Sequence, residues 1–178
     1  WTKYWVGWPS EVLFERDCGR LVRNDRVIWA TSMVACGDAD GAVTGNTRRF
    51  GASLEKIKQV VDVRDGEIMF GLNMVVHKGK TIFVGDTSVH EYPTSEQMAE
   101  IAISTARVVR LFGFEPKVAF VSHSTFGQPL TSRTKHIRKA VDILKEQKVD
   151  FEFDGDMQPD VALNSEYKEL YPFSNIVG

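Results

Sequence analysis

The segment TSEQMAEIAISTARVVRLFGFEPKVAFV, Thr94 to Val121, carries the reading of the fold class. Its apolar residues recur at helical spacing, with Met98, Ile101, Ala102, Thr105, Val109 and Phe112 on one stripe. Tyr92-Pro93-Thr94 opens this helix, and Thr94 with Gln97 three residues on fits a capping box, a reciprocal pairing of side chains with backbone N–H groups. Gly113 is a natural stop, because glycine takes the left-handed conformation beyond a helix end without strain. Val118-Ala-Phe-Val121 then reads as a short buried strand.

The same alternation extends toward the C-terminus. A helix from about Ser132 to Gln147 buries Ile137, Ala140, Val141 and Leu144, a strand runs from Val149 to Phe153, and a helix covers Pro159 to Leu163. In the other direction the period is two: Ile68, Phe70, Leu72 and Met74 alternate, Lys78-Gly79 turns, and Thr81 to Val84 completes a hairpin. Three helices precede it. The first starts at Pro9-Ser10-Glu11 and carries Leu13, Phe14, Cys18, Leu21 and Val22; the second spans about Asp25 to Ala35; the third spans Ser53 to about Val61. Strand and helix alternating from Lys80 onward predict right-handed crossovers onto a mainly parallel sheet with flanking helices, an α/β fold.

With 178 residues the chain holds one domain, or one domain and part of another. A formal charge of -2 and no interleaving of basic and aromatic residues argue against nucleic acid as a partner. No apolar run approaches the roughly 20 residues that cross a bilayer, so no membrane is expected and the cytoplasm is the default location. Cys18 and Cys36 lack a CxxC or metal-ligand spacing and read as thiols of a reducing compartment. Trp1, Tyr4, Trp5 and Trp8 need something to pack against, and Tyr171 to Gly178 stops on apolar residues, so both ends are expected to be cut from a longer protein.

In open α/β sheets ligands settle beyond the carboxyl ends of strands. Polar groups collect there: Gly85-Asp-Thr-Ser88, Ser122-His-Ser-Thr-Phe-Gly127 and Asp154-Gly-Asp-Met-Gln158. Met33 to Arg48 adds a loop of three glycines, two carboxylates and the pair Arg48 and Arg49, read either as a tight turn or as an anion cradle. Ser122-His123-Ser124 is not a nucleophilic triad on sequence adjacency, and no GxSxG elbow occurs. Asp154 and Asp156 lack a third ligand at metal-binding spacing, and His77, His90 and His136 read as surface, loop or helix-face residues. GxGxxG and GxxxxGK[ST] are both absent.

Several motifs in order resemble the phosphate acetyl/butyryltransferase family. They are Gly37-Asp-Ala-Asp-Gly41 with Val43-Thr-Gly45, Asp86-Thr87, Pro93-Thr94, Phe114-Glu-Pro-Lys-Val-Ala119, Ser122 to Gly127, Asp154-Gly-Asp-Met157 and Asp160-Val-Ala-Leu163. The Arg16 to Arg26 run and Asn46-Thr-Arg-Arg49 are more similar to the C-terminal phosphotransacetylase-like domain fused to bacterial NADP-dependent malic enzymes. The resemblance implies a truncated two-lobed body of isocitrate/isopropylmalate dehydrogenase-like architecture. Residues 1–52 would end the first lobe and 53–178 form the second, with acyl-CoA and phosphate bound between them.

On that resemblance the acetyl-CoA and phosphate contacts are expected from Gly45, Asn46, Thr47, Arg48, Arg49, Ser122, His123, Ser124, Thr125, Gly127, Asp154, Met157 and Asp160. The resemblance puts the family's catalytic Ser-Arg pair beyond Gly178, so no catalytic residue is expected here, and no metal residue is expected either. Glu55 stands where acetyltransferases have an arginine, and a carboxylate there repels phosphate. NADP and a divalent metal would serve the malic enzyme part, which turns malate into pyruvate and CO2. Three functions follow as expectations: an acetyl-CoA-binding regulator of the malic enzyme domain in the same polypeptide, a working phosphate acetyltransferase, or a module for homo-oligomer assembly.

Overall fold

The computed structural model describes residues 15–174 and 176. The predicted helix start at Pro9 and the aromatics Trp1 to Trp8 lie outside these residues. The chain divides into two compact units, one up to Arg64 and one from Asp65 on.

The first unit holds α1 (Glu15–Asn24), α2 (Arg26–Ala35) and α3 (Phe50–Lys58). Asp25 separates α1 from α2. Its carboxylate accepts the N–H groups of Val27 and Ile28 and so satisfies donors that the first turn of a helix leaves open. Val22, Ile28 and Val60 are buried together, with Leu21 and Val61 packed against them. α3 begins three residues before the predicted Ser53 and ends at Lys58. Val60 and Val61 keep their helical phase without being helical, because both N–H groups bond to the carbonyl of Ile57 in a closing turn.

The second unit runs β1 (Leu72–His77), β2 (Lys80–Gly85), α4 (Ser95–Leu111), β3 (Lys117–Val121), α5 (Ser132–Gln147), β4 (Glu152–Met157) and α6 (Pro159–Leu163), then a 3-10 turn over Ser165–Glu169. β1 and β2 form the predicted antiparallel hairpin. Lys78 and Gly79 both take positive φ, +47° and +78°, the two-residue geometry that matches strand twist. The strand starts later than the alternation predicts. Ile68 and Phe70 precede it, and the N–H of Gly71 goes to the Asp86 side chain instead of a ladder.

β3 and β4 pair in parallel, with α5 as the crossover. Among the described residues parallel pairing is confined to these two strands, since β2 pairs with β1 in a separate sheet. The expected strand over Val149 to Phe153 is displaced: β4 takes in Asp154, Gly155, Asp156 and Met157, which the sequence placed beyond its end. The ladder reaches Phe120 opposite Gly155, shifts register, and resumes with Val121 opposite Met157.

α4 lies on β2 and β3 and packs on α5. Ala99, Ala102 and Ala106 meet Leu144 and Phe151 in the core, with Val118 and Phe120 against them. Alanines at this crossing leave room for close helix approach. Phe112, expected in the buried stripe, is 55% exposed. It caps α4 and sets its ring 5.6 Å from that of Phe83. Thr94 and Thr131 both form full capping boxes, the second with Thr134 as the returning side chain. Across the helix pair Lys139 donates to Glu96 at 2.6 Å, and this bond pulls the Glu96 carboxyl down to about 2. Leu144 has no exposed surface. Leu144→Ala is expected to cost about 2–5 kcal/mol in urea unfolding of the full-length protein, through lost burial and a residual cavity.

Candidate functional site

The carboxyl ends of β3 and β4 meet around one buried carboxylate. Asp156 is 0% exposed. Its Oδ2 accepts the hydroxyl of Ser124, itself buried, and the N–H of Gly127 at 3.2 Å. Ser122 Oγ accepts the N–H of Ser124 at 2.9 Å and lies 3.0 Å from its hydroxyl. The loop from Ser122 to Gln128 is also tied to β4 through the main chain. Ser122 N–H donates to the Met157 carbonyl, and Phe126 N–H to that of Asp156. Gln158 completes the contact: its N–H donates to Thr125 Oγ1 and its side-chain amide to the His123 carbonyl.

Of the expected contact residues, the structure therefore brings together Ser122, His123, Ser124, Thr125, Gly127 and Met157. Ser124 and Met157 are buried, whereas His123 and Asp160 are exposed. Asp154 is half-buried, and its side chain accepts the N–H of its neighbour Gly155. Asp156 and Arg138, which are central to this arrangement, were not among those residues. Asp156 shares its short motif with Asp154 and is distinguished by burial alone. Arg138 lies on the exposed face of α5, where sequence carries no signal for its contact with the loop.

The cluster at Gly85 to Ser88 does something different. Asp86 binds backbone only: Oδ1 accepts the N–H groups of Gly71, Ser88 and Val89, and Oδ2 accepts that of His90. His90 Nε2 in turn lies 2.8 Å from the Met69 carbonyl. Burial pushes the Asp86 carboxyl up, but these four donors outweigh it and hold the group below its ordinary value. It is a brace between two chain segments.

In the first unit, residues 41–50 are exposed throughout, and Gly37, Gly41 and Gly45 have open space where a Cβ would stand. Arg48 pairs with Asp25 at 2.7 Å, and Arg26 binds the Thr47 hydroxyl. Arg49 precedes α3 with no side-chain cap bond. Gly45, Asn46, Thr47, Arg48 and Arg49 thus belong to one unit and the other expected contacts to the second. Among the described residues no group of three or more His, Cys, Asp or Glu side chains is placed to hold a metal ion. No helix there is long and apolar enough to cross a membrane.

The family model described as phosphate acetyl/butaryl transferase matches residues 5–178. A NADP-dependent malic enzyme of Rhizobium meliloti is 45% identical over 163 residues, 92% of this chain and 21% of that protein. A phosphate acetyltransferase of Nitratidesulfovibrio vulgaris is 30% identical over 161 residues, 89% of this chain and 23% of that protein. The chain spans about a fifth of the length of the curated relatives it matches. A crystal structure of a phosphotransacetylase from Streptococcus pyogenes superposes with a TM-score of 0.76 at 23% identity, covering 95% of this chain and 57% of that one. The α/β fold is therefore phosphotransacetylase-like.

Asp86 gives this region a definite response to acid. A carboxyl held below its ordinary 3.8 in the folded state contributes stability that is complete above that value and lost as pH falls through the folded-state value. Asp86→Asn is expected to lower stability by about 1–3 kcal/mol at neutral pH. It should also shrink the loss of stability below pH 3.8. Urea unfolding at a series of pH values reads both.

Proposed function

The chain belongs to the phosphate acetyl/butaryl transferase family, and on that premise we propose that it is the C-terminal regulatory part of a cytoplasmic NADP-dependent malic enzyme, binding acetyl-CoA without turning it over. The closed set at the end of β4 offers no acyl-transfer chemistry of its own. Ser122, Ser124 and Asp156 are bonded to one another and to backbone, and Ser124 and Asp156 have almost no exposed surface. Acyl transfer needs a reachable nucleophile or base and donors aimed at a developing oxyanion. Groups consumed in holding a loop serve neither task. The observation that carries the reading is the higher identity to the NADP-dependent malic enzyme of Rhizobium meliloti than to the phosphate acetyltransferase, 45% against 30%.

Two surfaces are candidates for ligand contact, each on its own unit. On the second unit it is the exposed rim of His123, Gln158 and Asp160 beside Thr125. On the first it is the glycine-rich loop to Arg49. Arg49 is the better anion contact of the arginine pair, because Asp25 already neutralises Arg48. NADP and a divalent metal act in the part of the parent outside this chain, where malate is oxidised and decarboxylated.

The 30% identity to a phosphate acetyltransferase favours one other reading, a working acetyl transfer from acetyl-CoA to phosphate. The full-length parent separates the two. Malate oxidation followed by NADPH absorbance should change as acetyl-CoA is raised, while acetyl phosphate does not form from acetyl-CoA and phosphate. A flat malate response together with acetyl phosphate formation would reverse the assignment. Arg49→Glu is expected to weaken acetyl-CoA binding in calorimetry by roughly tenfold or more, the scale of one charge-assisted hydrogen bond. Unchanged affinity would remove the first-unit loop from the site.

A further inference from the structure

We propose that Arg138 is a positioning residue, whose guanidinium clasps the Ser122–Gln128 loop onto the end of β4 and so sets how the His123 rim is presented. The clasp stands on geometry alone; its effect on acetyl-CoA rests on the proposed function.

Three contacts converge on this one guanidinium. Nη2 donates to the Phe126 carbonyl at 2.6 Å. Nε lies 3.6 Å from Asp156 Oδ1. The group also covers Gly127, where an added Cβ would stand 1.9 Å from Nη2 and 2.5 Å from Cζ. Gly127 is left-handed, at φ +81°, so its lack of a side chain serves both backbone and clasp.

Asp156 makes the contact consequential. Its Oδ1 is buried with no hydrogen-bond partner, while Oδ2 is fully used. Arg138 is the one cation paired with it among the described residues. A buried carboxylate without a countercharge is strongly unfavourable, so the guanidinium is held where that charge is. Among the described residues, every other hydrogen bond from the loop to another element comes from β4 and the residue that follows it. Arg138 brings in a third element, α5, which is fixed by the Thr131 capping box and by buried Ile137, Val141 and Leu144. The planar fork reaches the carbonyl and the carboxylate together, and a lysine cannot match that geometry.

The test uses the full-length protein with R138A, R138K, G127A and the R138A/G127A pair. Hydrogen exchange is followed in peptides covering 122–128 and in α4 peptides as an internal control, and acetyl-CoA is titrated by calorimetry. R138A is expected to speed exchange of the Phe126, Gly127 and Gln128 amides roughly tenfold or more, the scale of one lost hydrogen bond to a charged group. R138K should restore part of the protection. G127A should behave like R138A, because its methyl displaces the guanidinium, and the double variant should be no worse than the more affected single one. Unchanged loop exchange, uniform acceleration that includes α4, or fully additive single effects would each overturn the clasp. If the loop loosens as expected and acetyl-CoA affinity falls with it, both readings stand. If the loop loosens while the unmodified protein shows no acetyl-CoA binding, the clasp stands and the functional reading fails.

Discussion

The buried carboxylate of Asp156 organises the second unit. A charged group without solvent contact is stable only where hydrogen bonds and a countercharge replace water. Here the replacements come from Ser124, Gly127 and Arg138, all outside β4. The carboxylate therefore forces the loop after β3 and the face of α5 to meet at one point. Phe126 is carried inward by the same arrangement; its ring meets Phe173 edge-on at 4.8 Å and lies tilted 5.4 Å from Tyr171. Phe126 and Tyr171 pack against Met157 and Val161 in a small second core.

Local signals were legible wherever one residue type has one physical use. Thr94 with Gln97, Lys78-Gly79, Gly113 and Pro159 each marked an element end that the structure contains. Buried faces were legible for α5, whose apolar stripe is unbroken. The α4 stripe was harder to read, because Ala99 and Ala106 do as much of the packing as larger residues, and Phe112 leaves the core for Phe83. β4 was misplaced for a related reason. Asp154-Gly-Asp is turn chemistry by composition, yet tertiary burial keeps it in a strand. The clustering of Ser122 to Gly127 at a strand end was visible, but the partner that organises it was not. Arg138 is one of many charges on an exposed helix face, and only folding brings it to Phe126.

In the first unit one carboxylate also serves two neighbours. Asp25 caps α2 and pairs with Arg48. Burial pushes its carboxyl up, and Arg48 with the N–H groups of Val27 and Ile28 more than reverses this. The start of α2 and the end of the glycine-rich loop are thereby fastened to each other, although residues 41–47 between them stay exposed. The loop keeps a fixed anchor at Arg48 and an exposed middle.

The link between Glu96 and Lys139 has a consequence for how the α4–α5 pair responds to its surroundings. The hydrogen bond from Lys139 holds the Glu96 carboxyl down at about 2, below its ordinary 4.5, so the carboxylate persists through mild acid. Both side chains are well exposed, so mobile ions reach them freely. Mild acid therefore leaves this tie in place, while dissolved salt weakens it.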